Sequence, residues 1–311
     1  AIWSSVLQMR ALATLLIAIV ATQTACTGRQ QDFESAEAAA QALAAAVQSG
    51  RSGELLKVLG EQAEPVLDSG DPVQDQNSRA RFLQAYSSAH TLQTDAAGVI
   101  TLEVGADAWP FPFPIVQRDG RYRFDSDAGV DEVINRRVGS NELATIQSCL
   151  AFVDAQREYY ARNAEREPLL HFAQKLTSTA GRKDGLYWPT SGDEPPSPLG
   201  EAFARARSEG YFKEGVSGAT PFHGYIYRLL TSQGPHAAGG AYDYMVRDKL
   251  LGGFALIAFP VEYGVSGVMT FMVSHDGVVF SKDLGRTTAT GVQLIETFDP
   301  DPSWQREAAI E

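Results

Sequence analysis

Cysteine is almost missing from this chain of 311 residues, which has only Cys26 and Cys149. That excludes a disulfide framework and any cysteine-built zinc site. Positive charge is also scarce, with 26 Lys and Arg against 38 Asp and Glu and a net charge of −12. Such a balance offers no footprint for nucleic acid or for an anionic membrane surface, so neither is expected as a partner. Five histidines are scattered along the chain. His223, His236 and His275, with Asp243, Glu262 and Asp276 near them in sequence, match no ligand spacing, and no metal or cofactor is expected. The sequence also lacks G-x-S-x-G, H-E-x-x-H, S-x-x-K, P-loop and G-x-G-x-x-G motifs. Gly264-Val265-Ser266-Gly267 has Gly and Ser but sits between two strand patterns, whereas a nucleophile elbow needs a strand-to-helix turn.

Long hydrophobic runs are missing too. Ala11–Ala21 is apolar over 11 residues, too short for a membrane-spanning helix of ~20 residues. After Met9-Arg10 it fits the apolar core of an export signal. Thr24-Ala25-Cys26 follows and resembles a bacterial lipobox, with Gln23 where an aliphatic residue is usual. The expectation is a signal peptide over 1–25 and a periplasmic protein, anchored to a bacterial membrane by lipidated Cys26. Simple cleavage after Ala25 is the alternative.

The remaining chain has ordinary globular composition, 44% hydrophobic and 21% charged. Residues 33–59 are alanine-rich, and Phe33, Ala36, Ala40, Leu43 and Val47 recur at helical spacing. A second helical run covers about 74–89. The period then changes to two over 99–104, Asp119-Gly120 marks a hairpin, and 122–124 is the return strand. The proline-punctuated segment Trp109–Pro114 fits an edge or an extended entry to a strand around Ile115–Val116. Helices followed by a curved antiparallel meander give an α+β domain over 30–128, in an order similar to nuclear-transport-factor-like or cystatin-like cones. Beyond it, 131–138 reads as a short helix closed by Gly139. Ser140 or Asn141 would cap a long helix over 141–166, buried along Leu143, Ile146, Leu150 and Val153. The loop 184–200 holds four prolines. Short strands with local turns then form an antiparallel meander packed on one face, completing a second α+β domain over 130–307.

Tyr187-Trp188-Pro189, the segments 221–225, 239–244 and 253–256, and Tyr263–Phe271 together resemble the bacterial exported family catalogued as domain of unknown function 2950. The resemblance covers roughly 35–307 and implies export but no assigned reaction. The C-terminal half also resembles the globular head of type IV pilins and pseudopilins. Its helix carries Glu142, Asp154, Arg157 and Glu158, so pilus assembly is not implied.

Candidate ligand-binding residues follow from chemistry. Tyr242 and Asp243, with Lys249, Glu262 and Tyr263, combine flat aromatic faces with charge beside the glycine-rich loop 234–240. Tyr187 and Trp188 are aromatic residues in a loop, able to act as a lid or as an anchor, and His223 begins a strand. The expected function is non-catalytic binding of an envelope protein or small molecule. An envelope hydrolase with a carboxylate general base, such as Asp243 or Glu262, is the alternative.

Overall fold

A computed structural model describes residues 30–209, 211 and 221–308. The signal segment and Cys26 lie outside the described residues. Helix α1, Ala36–Ser49, starts where the Ser35 side chain accepts the Ala38 N–H at 3.1 Å. It ends at Gly50, whose φ of 68° suits a residue without Cβ. Ala39, Ala40, Leu43 and Val47 form its buried face. Helices α2 (Ser52–Leu59), α3 (Glu64–Leu67) and α4 (Pro72–Ser88) follow. Five strands come next: β1 (His90–Thr94), β2 (Ile100–Val104), β3 (Trp109–Pro110), β4 (Ile115–Arg118) and β5 (Arg121–Phe124). They make one antiparallel sheet in the order β1-β2-β4-β5, with β3 on β2. Leu43, Leu55 and Val58 meet Leu102, Ile115 and Phe124 in a single core.

Helix α5 runs unbroken for 37 residues, Ser126–Arg162, about 55 Å at ~1.5 Å per residue. This corrects the expected break at Gly139 and passes through the expected boundary near 128–130. Gly139 is an exposed helical residue, and Asn141 is not a cap. Its buried amide accepts from Gln74 at 2.6 Å and donates to the Ser266 carbonyl at 2.8 Å. Tertiary packing on both sides of Gly139 outweighs its cost of ~1 kcal/mol inside a helix. The first turns of α5 lean on the first core through Val130, Val133 and Ile134. Later turns bury Ile146, Cys149, Phe152, Val153 and Tyr159 in a second core. Leu143, expected in that stripe, is 57% exposed, because the buried face runs through Thr145 and Ile146 instead.

Helix α6 (Gly200–Ser208) precedes the second sheet. Strand β6 is Tyr225–Leu230, and the pair β7 (Ser232–Gln233) and β8 (Tyr242–Asp243) is separate from the main sheet. A hairpin follows, made of β9 (Met245–Val246) and β10 (Lys249–Leu250). The main strands are β11 (Ala255–Pro260), β12 (Met269–Ser274), β13 (Val279–Asp283) and β14 (Gln305–Arg306), joined to β6 in the order β14-β13-β12-β11-β6, all antiparallel. Between β13 and β14 lies a one-turn helix α7, Thr288–Gly291. The sheet is covered on both faces, not on one as the sequence suggested. Leu256, Ala258, Phe271 and Val273 face α5, while Ile257, Phe259 and Met272 meet Val292, Phe298 and Trp304. That is why all six residues of β11 are apolar and buried instead of alternating. The protein is α+β, and no helix among the described residues is long and apolar enough to cross a membrane.

Candidate functional site

The expected aromatic and acidic cluster is divided by the sheet. Strand β11 runs from Ala255, opposite Leu230, to Pro260, opposite Tyr225. Tyr242 and Asp243 lie beyond its first end and Glu262 and Tyr263 beyond its last, about 20 Å apart at ~3.3 Å per strand residue. Strand β11 pairs with β6 and β12, and the two-residue turn Arg247-Asp248 closes only the β9–β10 hairpin. Asp243 accepts the Met245 N–H at 2.7 Å, a local turn contact. Tyr242 is 38% exposed. The glycine-rich loop closes on Gln233, whose amide donates to the carbonyls of Ala238 and Gly240 at 2.6 and 2.7 Å. Positive φ at Gly239 and Gly240 therefore serves the turn itself.

At the other end, the Tyr263 hydroxyl donates to Asp283 at 3.2 Å, which raises its pKa. The Glu262 carboxylate contributes to the electrostatics of Arg137. Ser266 is buried and exchanges hydrogen bonds with the Glu262 backbone at 3.0 and 3.1 Å, a turn closure and not a nucleophile. Trp188 is only 5% exposed beneath Lys183, and Tyr187 stacks on Phe203 with ring centroids 4.3 Å apart. Both anchor their loop to the core. His223 sits at a φ of 49°, 3.9 Å from Glu209, and burial lowers its pKa. His236 instead pairs with Asp299 at 3.0 Å, and His275 lies edge-on to Tyr244. Among the described residues no three His, Cys, Asp or Glu converge as a metal site requires.

Lys249 alone of the expected set leads to a cleft. One wall is the loop following α5, which turns off the helix at Asn163 with a φ of 44°. The other wall is the β9–β10 hairpin. Two devices fix the loop between them. The fully buried Gln156 of α5 donates to the Ala173 carbonyl and accepts the Ala173 N–H, both at 2.8 Å. Phe172 donates its N–H to Leu250 at 2.9 Å, and Gln174 donates to the Asp248 carbonyl at 2.6 Å. The cleft between the walls has a volume of about 180 Å³.

Charge fills its lining. Arg182 donates two hydrogen bonds to the two Glu165 oxygens, at 3.2 and 3.1 Å. That pairing, against an upward push from partial burial, holds the Glu165 pKa below the usual carboxylate range. Lys175 donates to Thr179 and to Asp184, each at 2.8 Å, and Asp184 also accepts the Thr179 N–H at 2.7 Å. Burial pushes the Asp184 pKa up, but the Lys175 and Thr179 donors together hold it well below the carboxylate range. Lys249 donates to Glu167 at 3.2 Å and to Nε2 of His171 at 3.3 Å. Nδ1 of His171 lies 3.0 Å from the Phe172 carbonyl, on the side of the ring away from Lys249. Beneath, burial first and then Glu165 and Asp184 push the Tyr159 hydroxyl up to about 12. Asp248 completes the lining from the hairpin tip, exposed and with no hydrogen bond or ion pair to its carboxylate among the described residues.

A general base for work near neutral pH needs a raised carboxylate pKa. Glu165 and Asp184 are shifted the other way, so neither is tuned as such a base. Apart from Lys249, the cleft residues were not singled out from the sequence. The dense charge of 163–184 was the available signal, but its partners lie on a hairpin over 60 residues further on. No curated protein and no solved structure matches the chain. The family model described as "Protein of unknown function (DUF2950)" matches residues 30–307, and the chain belongs to that family.

Proposed function

We propose that this is an exported, envelope-resident binding protein that holds a small polar ligand in the cleft between the 163–184 loop and the β9–β10 hairpin, without turning it over. The carrying observation is the pre-organised set of ion pairs, Arg182–Glu165, Lys175–Asp184 and Lys249–Glu167, around that cleft. Binding to charges already held in place costs little ordering entropy. Depressed carboxylate pKa values favour this reading over a carboxylate-based hydrolase. Export, and anchoring by a lipidated Cys26, rest on the Ala11–Ala21 run and the lipobox-like Thr24-Ala25-Cys26. A long helix laid on an antiparallel sheet supports a pilin-like arrangement of the C-terminal half and a nuclear-transport-factor-like or cystatin-like one before it.

The binding reading is tested by titrating a broad set of small charged metabolites into the isotope-labelled chain. Backbone amides of Gln174, Lys175, Asp248 and Lys249 should shift together with at least one of them. A set that perturbs only the 234–240 loop, or no cleft amide at all, overturns it. For the anchor, Cys26→Ser should move the protein from the membrane to the soluble fraction; unchanged membrane association with no acyl label would remove the lipid from the proposal.

A further inference from the structure

The donors and acceptors left over in the cleft define what it can take. A lysine ammonium has three N–H donors. Two are used at Lys175, on Thr179 and Asp184, and two at Lys249, on Glu167 and His171. Each lysine therefore retains one donor. Arg182 is engaged edge-on by Glu165. The Asp248 carboxylate has no cation of its own among the described residues, although it lines the same cleft. The turn that carries it holds Arg247 at a φ of 49° and Asp248 at 63°. A two-residue hairpin turn requires positive φ at both central residues, and Asp tolerates it well. The hairpin turn thus presents the unpaired carboxylate to the cleft.

We propose that the ligand is a small zwitterion of the α-amino-acid class, with its ammonium on Asp248 and its carboxylate on the free donors of Lys249 and Lys175. The inference rests on the cleft being the binding site. The lining holds three carboxylates (Glu165, Asp184 and Asp248) and three cations (Lys175, Arg182 and Lys249), and Glu167 pairs with Lys249 beside it, so the surroundings carry no excess positive charge. A multiply charged anion such as phosphate would satisfy the lysines but lie against Asp184 and Asp248. A simple organic cation would satisfy Asp248 but face two ammonium groups. A zwitterion sets its ammonium on the unpaired Asp248 and its carboxylate on the two leftover lysine N–H donors, and it brings no net charge. A volume of about 180 Å³ suits a ligand of that size.

The test compares glycine, N-acetylglycine, which lacks the ammonium, and glycinamide, which lacks the carboxylate, by amide shifts of the labelled full chain. Glycine should shift the amides of Gln174, Asp248 and Lys249. Each single-charge analogue should bind about tenfold or more weakly, the factor that ~1.4 kcal/mol represents. Asp248→Asn, a change at an exposed residue whose carboxylate has no partner among the described residues, should weaken glycine to the level of N-acetylglycine while leaving N-acetylglycine unaffected. Lys249→Met should weaken glycine to the level of glycinamide. If N-acetylglycine matches glycine and ignores Asp248→Asn, the cleft is an anion site and the zwitterion proposal is overturned. If glycinamide matches glycine, it is a cation site, with the same consequence. Absence of any cleft shift with all three also overturns the zwitterion, and the broader metabolite titration decides separately whether the cleft binds at all.

Discussion

His223 shows how one residue gathers several constraints. It stands just before β6 with a φ of 49°, a conformation that Asn and Asp tolerate better than most side chains. Its ring packs on Phe222 at 4.2 Å and near Tyr211 at 5.8 Å. Burial lowers its pKa, and the upward pull of Glu209 and Asp71 does not restore it. A histidine whose folded pKa lies below the unfolded value of ~6.5 binds fewer protons when folded. Its stabilising contribution is therefore present above about pH 6.5 and is lost as pH falls through that value towards the folded pKa. Denaturant unfolding should give decreasing stability from pH 7 to 5.5, a window in which ordinary carboxylates remain ionised. His223→Asn keeps the backbone conformation accessible and should flatten the curve there. The depressed Glu165 and Asp184 act in a different window: their contribution is present above about pH 4 and is lost below it. A His223→Asn curve with unchanged slope between pH 7 and 5.5 would show that the imidazole is not the titrating group.

At the scale of elements, α5 marks the boundary of what the sequence discloses. Helical spacing from Ile146 to Val153 was legible, as were α1, β2 and the β4–β5 hairpin, because each buries one face and keeps a clean period. Continuity through Gly139 was not, because Gly followed by Ser and Asn spells a helix stop and start. What overrides that local signal is the long-range contact of Asn141 with Gln74 and Ser266. The cleft was illegible for a similar reason: the Gln156 clamp and the Phe172–Leu250 bridge leave no mark on local pattern. Tyrosines and glycines drew attention to 234–244 instead, where the polar groups satisfy one another. A continuous α5 has a measurable consequence. A Cβ on Gly139 would meet nothing within 4 Å, so Gly139→Ala should raise stability by about 1 kcal/mol. Phe152→Ala, in the second core, should lower it by ~3–5 kcal/mol, while Leu143→Ala should stay within ~0.5 kcal/mol. Denaturant melts decide, and a loss at Gly139→Ala would mean that the chain breaks there.

Across the whole molecule, the two sheets are tied by more than the shared helix, and the knot is Asp71. It is 1% exposed. One carboxylate oxygen accepts the Gln74 N–H at 3.0 Å and so caps α4. The other accepts the Tyr211 hydroxyl at 2.8 Å and the Gly224 N–H at 3.1 Å, both from the C-terminal part of the chain. Burial, and then that hydrogen bond, raise the Tyr211 pKa. Gly224 has a φ of 72°, and a Cβ there would approach the Asn141 amide at 2.5 Å, so the approach of β6 to α5 requires glycine. Asn77 of α4 adds a 2.7 Å bond to the Glu209 carbonyl, while Arg137 donates to Val66 at 2.7 Å and fastens the shared helix to α3. Asp71→Ala removes a helix cap, takes one acceptor from the Tyr211 hydroxyl and leaves the Gly224 N–H without its carboxylate acceptor. A lost cap costs ~1 kcal/mol and an unsatisfied buried donor ~1–3 kcal/mol, so the loss should reach roughly 2–4 kcal/mol. Asp71→Asn keeps one carbonyl acceptor and should lose less. Unfolding followed at once by tryptophan fluorescence and by far-ultraviolet dichroism should be a single coincident transition in the parent chain. Three of the four tryptophans, Trp109, Trp188 and Trp304, lie in the two sheet regions that Asp71 joins, so the probes report on both sides. With Asp71→Ala the two traces should separate, because α5 alone would then couple the cores. Traces that stay coincident at a lower midpoint would assign the coupling to the helix and leave Asp71 the role of a cap.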